Sequence, residues 1–254
     1  MATADDCKDC ISDPIQAFVM KANHRIEKIG GYDCYIATPP EEYAHEKVVL
    51  FLTDVFGLKL NNNLLLADDF ALNGFKVVMP DIMRGEPVSD AELNSPTFKM
   101  DEWRAKHGEE SWIPVVDGVV QALKASGVTR IGTTGYCFGA PPAFRLAFAH
   151  ESHVTVLAHP SRLDVPGDLQ KYKEVSKAPL LINSCETDRA FPKESQAVAD
   201  EVLGNGQFTP GYVRTYWDGC THGFAVRGDM SNPKVKAGKE GAFEASVKFY
   251  KKYL

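Results

Sequence analysis

The pentapeptide Gly135-Tyr136-Cys137-Phe138-Gly139 sets a thiol between flanking glycines. A β-branched run ending near Thr134 leads into it, and a helical pattern follows from about Ala143. A strand that turns at once into a helix forces its central residue into a strained backbone conformation, and side chains two residues away would collide. The turn also puts the sulfur at a helix N-terminus, where the macrodipole favours negative charge. Pro141 and Pro142 suit a first helical turn, whose N–H groups lack intrahelical partners. Cys137 is therefore expected to be a nucleophile, the cysteine counterpart of a Gly-x-Ser-x-Gly elbow. The competing reading is a buried structural cysteine in a glycine-rich turn.

An elbow of this kind needs an acid and then a histidine further along the chain. Leu180-Leu-Ile-Asn-Ser184 reads as a later strand, and Cys185-Glu186-Thr187-Asp188 follows it. Asp188 is the expected acid, with Glu186 as the alternative. His222 lies just past the strand-like run 212–217 and is the expected base. His24, His45 and His107 precede the elbow, and His150 and His153 end the helix after it. His159 follows the next strand, where it could line a site but not serve as the base. Together, Cys137 would attack a carbonyl, His222 would hold and return the proton, and Asp188 would set the imidazole tautomer. The oxyanion would be met by the Phe138 N–H. A second donor, expected to be the Val55 N–H, would come from Thr53-Asp54-Val55-Phe56-Gly57 after the early run 48–52.

These residues need a scaffold that delivers strand ends to one edge. The chain has 254 residues, a length that single α/β domains often reach. Apolar runs at 48–52, 76–79, 130–134, 154–158, 180–183 and 212–217 suit strands buried on both faces. The run 33–37 reads as an edge strand. Helical periodicity covers 61–72, 113–123, 143–149, 194–203 and 240–253. This alternation predicts one α/β domain with a mainly parallel sheet. The polar segment 84–108 is long enough to be an insertion over the sheet edge. Residues 1–28 are expected to form an N-terminal arm, and 29–254 a single catalytic domain.

Composition narrows the function. With 44% hydrophobic and 24% charged residues, the chain is an ordinary globular protein. A net charge of −6 lacks the basic field that nucleic acid or an anionic membrane demands, so neither partner is expected. The acidic start has no apolar run after it, as a secretory signal would, and no stretch is long enough to span a bilayer. A cytoplasmic protein is expected. Cys7 and Cys10 form a Cys-x-x-Cys pair, but no second pair completes a zinc site, so no metal is expected.

Five ordered motifs resemble the dienelactone hydrolase family, a cysteine-using branch of the α/β-hydrolases. They are Thr53-Asp-Val-Phe-Gly57, Pro80-Asp-Ile-Met-Arg-Gly85, Gly135-Tyr-Cys-Phe-Gly139, Asp188-Arg-Ala-Phe-Pro192 and His222-Gly-Phe224. The resemblance implies an α/β-hydrolase fold, a mainly parallel central sheet flanked by helices. It also implies hydrolysis of a small anionic enol-lactone or ester through an acyl-enzyme on Cys137, with no cofactor. In the family's lactone hydrolases a glutamate follows the early strand and takes the thiol proton. Asp54 holds that position here, one methylene shorter, and is expected to organise the oxyanion loop or to act through water. The family's arginines bind the substrate carboxylate. Arg84 matches one by its Pro-Asp-x-x-Arg context. The other position is Val226, with Arg227 one residue further. Asp54, Arg84 and Arg227 are thus the expected substrate-binding residues, in a monomer or homodimer acting on a small molecule. The rivals are a broader carboxylesterase or thioesterase, and a thiol redox protein using Cys137 with Cys185 or the Cys7–Cys10 pair. A third is an idle fold kept for binding.

Overall fold

The computed structural model describes residues 23–93 and 95–254, so the Cys7–Cys10 pair lies outside the described residues. The apolar runs become strands β1 (Asn23–Ile29), β2 (Tyr32–Thr38), β3 (Lys47–Leu52), β4 (Val77–Pro80), β5 (Arg130–Tyr136), β6 (Val154–Ala158), β7 (Leu180–Thr187) and β8 (Tyr212–Thr221). They form one sheet in the order β1-β2-β4-β3-β5-β6-β7-β8. The β1–β2 and β2–β4 pairs are antiparallel, and every other pair is parallel. All of β4 and β6, and β3 from Val48 onward, are buried, because helices cover both faces.

On one face α4 (Glu109–Ala125), α5 (Ala140–Phe148), α6 (Gly167–Val175) and α7 (Lys193–Leu203) pack Trp112, Val116, Phe144, Tyr172 and Leu203 against the sheet. The other face receives α1 (Asn61–Leu72), α8 (Phe224–Arg227) and α9 (Pro233–Tyr253) through Phe70, Val226, Val247 and Tyr250. The parallel strands all point their C-terminal ends to one side, where α/β sheets carry their sites.

Two expectations change. The run 33–37 falls in β2, which is bonded on both sides, and the edge belongs to β1. β1 reads Asn-His-Arg-Ile-Glu-Lys-Ile and has no apolar run to announce it. Its pairing is set by Gly30 and Gly31, whose φ of +60° and +90° close a tight turn onto Tyr32. The sheet therefore starts at Asn23, before the expected boundary at residue 29. The segment 84–108 contains two short helices, α2 (Asp90–Leu93) and α3 (Met100–Lys106). Trp103 ties it down, donating from Nε1 to the Glu86 carbonyl at 3.1 Å and meeting Phe138 edge-on at 5.8 Å. Among the described residues, no helix is long and apolar enough to cross a membrane.

Candidate active site

β5 ends at Tyr136, a single 3-10 turn spans Cys137–Gly139, and α5 begins at Ala140. Cys137 has φ +49°, a left-handed conformation that a side-chain-bearing residue seldom adopts. The glycines are dictated by backbone proximity. A Cβ on Gly139 would sit 2.1 Å from the Leu52 carbonyl oxygen, and one on Gly135 2.5 Å from that of Gly139.

The next strands bring the two partners. β7 runs to Thr187, so Asp188 is the first residue beyond it. Asp188 is buried, and its Oδ1 accepts from the Ala190 and Phe191 N–H groups at 2.8 and 3.1 Å. Its Oδ2 is 2.9 Å from His222 Nδ1. His222 follows β8 and is fixed from behind by its own N–H, which donates to the Thr187 carbonyl at 3.0 Å. Burial opposes a charge on His222. Hydrogen bonds with Asp188 and Cys137 outweigh it and push the imidazole up to about 10. His222 thus holds its proton at neutral pH, between a carboxylate and the thiol. Glu186, the alternative acid, lies elsewhere and accepts from the Gly219 N–H at 2.8 Å.

Asp54 is buried and turned into the protein. Its Oδ1 accepts from the Phe56 N–H at 3.2 Å and from Asn63 Nδ2 at 3.0 Å. Its Oδ2 has Arg227 Nε at 3.8 Å. Burial raises its pKa, and the Asn63 bond and Arg227 partly offset this. Asp54 therefore shapes the loop that carries Val55, and the Val55 carbonyl accepts from the Val88 N–H at 2.9 Å. Arg227 lies with its guanidinium 4.6 Å from the Phe56 ring centre. Arg84 is exposed, makes no ion pair among the described residues, and borders a depression of about 460 Å³ with Glu86, Lys106 and His107. A second groove, of about 720 Å³, is lined by Phe56, Leu60, Val88, Phe98, Trp103 and His107 together with charged residues such as Lys59 and Glu102. It borders the 53–57 loop at Phe56, next to Val55, and reaches the elbow through Trp103, which meets Phe138.

Sequence reasoning missed the turn after β6. The Ser161 N–H donates to the Cys137 carbonyl at 3.1 Å, and Ser161 Oγ is 3.5 Å from Cys137 Sγ. His159, noted only as a possible lining residue, is fully buried with φ +38°. Its ring stands edge-on to that of His222 at 5.0 Å. Burial, His222 and Arg227 hold its pKa well below the ordinary histidine range, so it is neutral. The one signal in the sequence was position, at the C-terminal end of a buried parallel strand.

The Ser161 contact yields an expected result. If the hydroxyl donates to the thiolate, Ser161→Ala removes a charge-assisted bond worth about 1.5 kcal/mol or more. Alkylation of Cys137 by iodoacetamide at pH 7 should then slow by about tenfold. An unchanged rate would show that Ser161 only props the turn.

A sharp strand-to-helix turn at Cys137, with Asp188 after β7 and His222 after β8 on a sheet in this order, is the framework of an α/β-hydrolase. The chain belongs to the Dienelactone hydrolase family, whose sequence pattern matches residues 32–254, and it is a carboxylic ester hydrolase. It is 33% identical over 230 residues to the hydrolase pyvD of Aspergillus violaceofuscus, covering 90% of each chain. Dienlactone hydrolase 1 of Gibberella moniliformis is 28% identical over 231 residues, covering 88% of this chain and 85% of its own. The crystal structure of a candidate dienelactone hydrolase from Klebsiella pneumoniae superposes with a TM-score of 0.72 at 14% identity. That match covers 91% of this chain and 98% of the other.

Proposed function

We propose that the protein hydrolyses small anionic enol-lactones or esters through an acyl-enzyme on Cys137. The observation that carries this reading is the His222 ring bonded to Asp188 at 2.9 Å, with its charge favoured by both Asp188 and the Cys137 thiol. The thiolate sulfur adds to the carbonyl carbon, and the oxyanion is received by the Phe138 and Val55 N–H groups. The ring C–O bond breaks, and the departing oxygen takes the His222 proton. Neutral His222 then removes a proton from water, which attacks the thioester, and the sulfur leaves as thiolate. The sum is ester plus water giving acid plus alcohol. In an enol-lactone the released enol becomes a ketone, so the ring does not reclose. Asp54 serves these steps by shaping the oxyanion loop. Arg84 and Arg227 are the arginines the family resemblance offers for a substrate carboxylate.

The apolar surfaces of Phe56 and Trp103 in the groove also suit a broader carboxylesterase or thioesterase. The redox reading has less support. Cys185 is a free, buried thiol pushed up to about 12 by burial, and it contacts Thr187 and Asp188. Free thiols at Cys34, Cys137, Cys185 and Cys220 suit a reducing compartment, and we place the protein in the cytoplasm.

The test compares kcat/KM for an anionic enol-lactone with that for p-nitrophenyl acetate. A preference of about tenfold or more for the lactone is expected, since one charge-assisted contact is worth at least that factor. Equal or better turnover of the aryl ester would make the enzyme a general esterase.

A further inference from the structure

We propose that Arg162 is a specificity residue that binds the carboxylate of a planar, unsaturated acyl group beside Cys137. This rests on the hydrolase reading above and assigns the substrate's charge to a residue outside the family motifs. Its position is fixed by its neighbours. The turn after β6 lays Ser161 on Cys137 through two contacts, with the Cys137 carbonyl and with its sulfur. Arg162 is the next residue. Its φ of +62° is again left-handed, and it directs the side chain back over the elbow. The guanidinium carbon lies 5.0 Å from the centre of the Phe138 ring, the residue that follows the nucleophile.

This cation has no carboxylate within 4 Å among the described residues, whereas Arg145 and Arg214 are paired with Asp117 and Asp200. Partial burial of the guanidinium lowers its pKa and nearby Arg104 adds to this, while Glu109 and Cys137 act in the opposite direction. Arg104 itself is bonded to Asp101. A partly covered guanidinium resting on an aromatic face, one residue from a thiol contact, is pre-organised for an incoming anion. A planar carboxylate can take two of its N–H groups at once. Phe138 also meets Trp103 edge-on, so the same corner offers a flat apolar wall. Charge and wall together favour a conjugated carboxylate over a saturated or neutral one. The other arginines are differently engaged. Arg227 leans on Asp54 and Phe56, and Arg84 borders the depression with Lys106.

The experiment uses the full chain and reads binding without turnover. Sorbate, a planar unsaturated carboxylate, and sorbyl alcohol, its neutral counterpart with no ester to cleave, are tested for protection of Cys137 against iodoacetamide. Sorbate should protect the wild type and sorbyl alcohol should protect it far less. In Arg162→Gln the sorbate concentration for half-protection should rise at least tenfold, with sorbyl alcohol unchanged. Arg162→Lys keeps the charge but not the planar fork, and should fall between. Equal protection by sorbate in the wild type and both variants, or no advantage of sorbate over the alcohol in the wild type, would overturn the proposal. Failure of the hydrolase reading looks different: ester turnover would persist in Cys137→Ala whatever sorbate does.

Discussion

Cys137→Ala should abolish turnover of every ester and lactone, and Cys137→Ser should retain no more than about one-tenth of it, a loss of at least roughly 1.4 kcal/mol in transition-state stabilisation. The serine hydroxyl would occupy the same elbow, where φ +49° and two close-packed glycines fix the side-chain direction. Position is therefore kept and nucleophilicity is not, because a hydroxyl ionises far less readily than a thiol. His222 is tuned for the thiol. With its pKa pushed up to about 10, it holds its proton at neutral pH, and it is a weak base toward a neutral hydroxyl. Steady-state kcat and kcat/KM on an aryl ester and an enol-lactone check both variants. Full activity in Cys137→Ala would put the chemistry elsewhere.

Asp188→Asn should lower kcat by about 10²- to 10⁴-fold, by analogy with the loss of the orienting carboxylate in serine-protease triads. The variant should still fold, since the amide oxygen can accept from the Ala190 and Phe191 N–H groups that now bind Oδ1. The other carboxylate oxygen, at 2.9 Å from His222 Nδ1, becomes an NH₂ group that cannot accept the ring proton. The imidazole then takes the wrong tautomer, and the carboxylate that raises its pKa is gone. The wild-type His222 proton is lost as pH rises through about 10, so in Asp188→Asn the alkaline fall in activity should move to lower pH. A pH–kcat profile with an unmoved alkaline limb and wild-type kcat would show that Asp188 is only a turn residue.

The expected order Cys137, Asp188, His222 could be read because each residue follows a parallel strand: β5 and β7 are buried and announce themselves as short apolar runs, and β8, a half-buried edge strand, shows as the β-branched and aromatic run 212–217. β6 matches its expected bounds, and α1 likewise. β1 was hidden because its stability comes from pairing through a two-glycine turn, with no apolar face to show in its residues. Asp54 could be placed in the oxyanion loop but its orientation could not. That depends on Asn63, nine residues away, whose amide reaches it only once α1 has docked. Ser161 and Arg162 left no trace in periodicity. Their role arises from three left-handed residues, Cys137, His159 and Arg162, that fold two turns onto each other. The run 84–108 looked irregular because α2 and α3 bury little and are held mainly through Trp103.

The most direct measurement traps the covalent intermediate. An aryl ester that acylates quickly and deacylates slowly is mixed with the enzyme, quenched in acid within the first turnover, and digested for peptide mass spectrometry. The peptide containing Cys137 should carry the mass of the acyl group, localised by fragmentation to the cysteine, and Cys137→Ala should carry none. An acyl group on Ser161, 3.5 Å from the sulfur, or steady turnover with no adduct on Cys137 at any quench time, would contradict the proposed nucleophile.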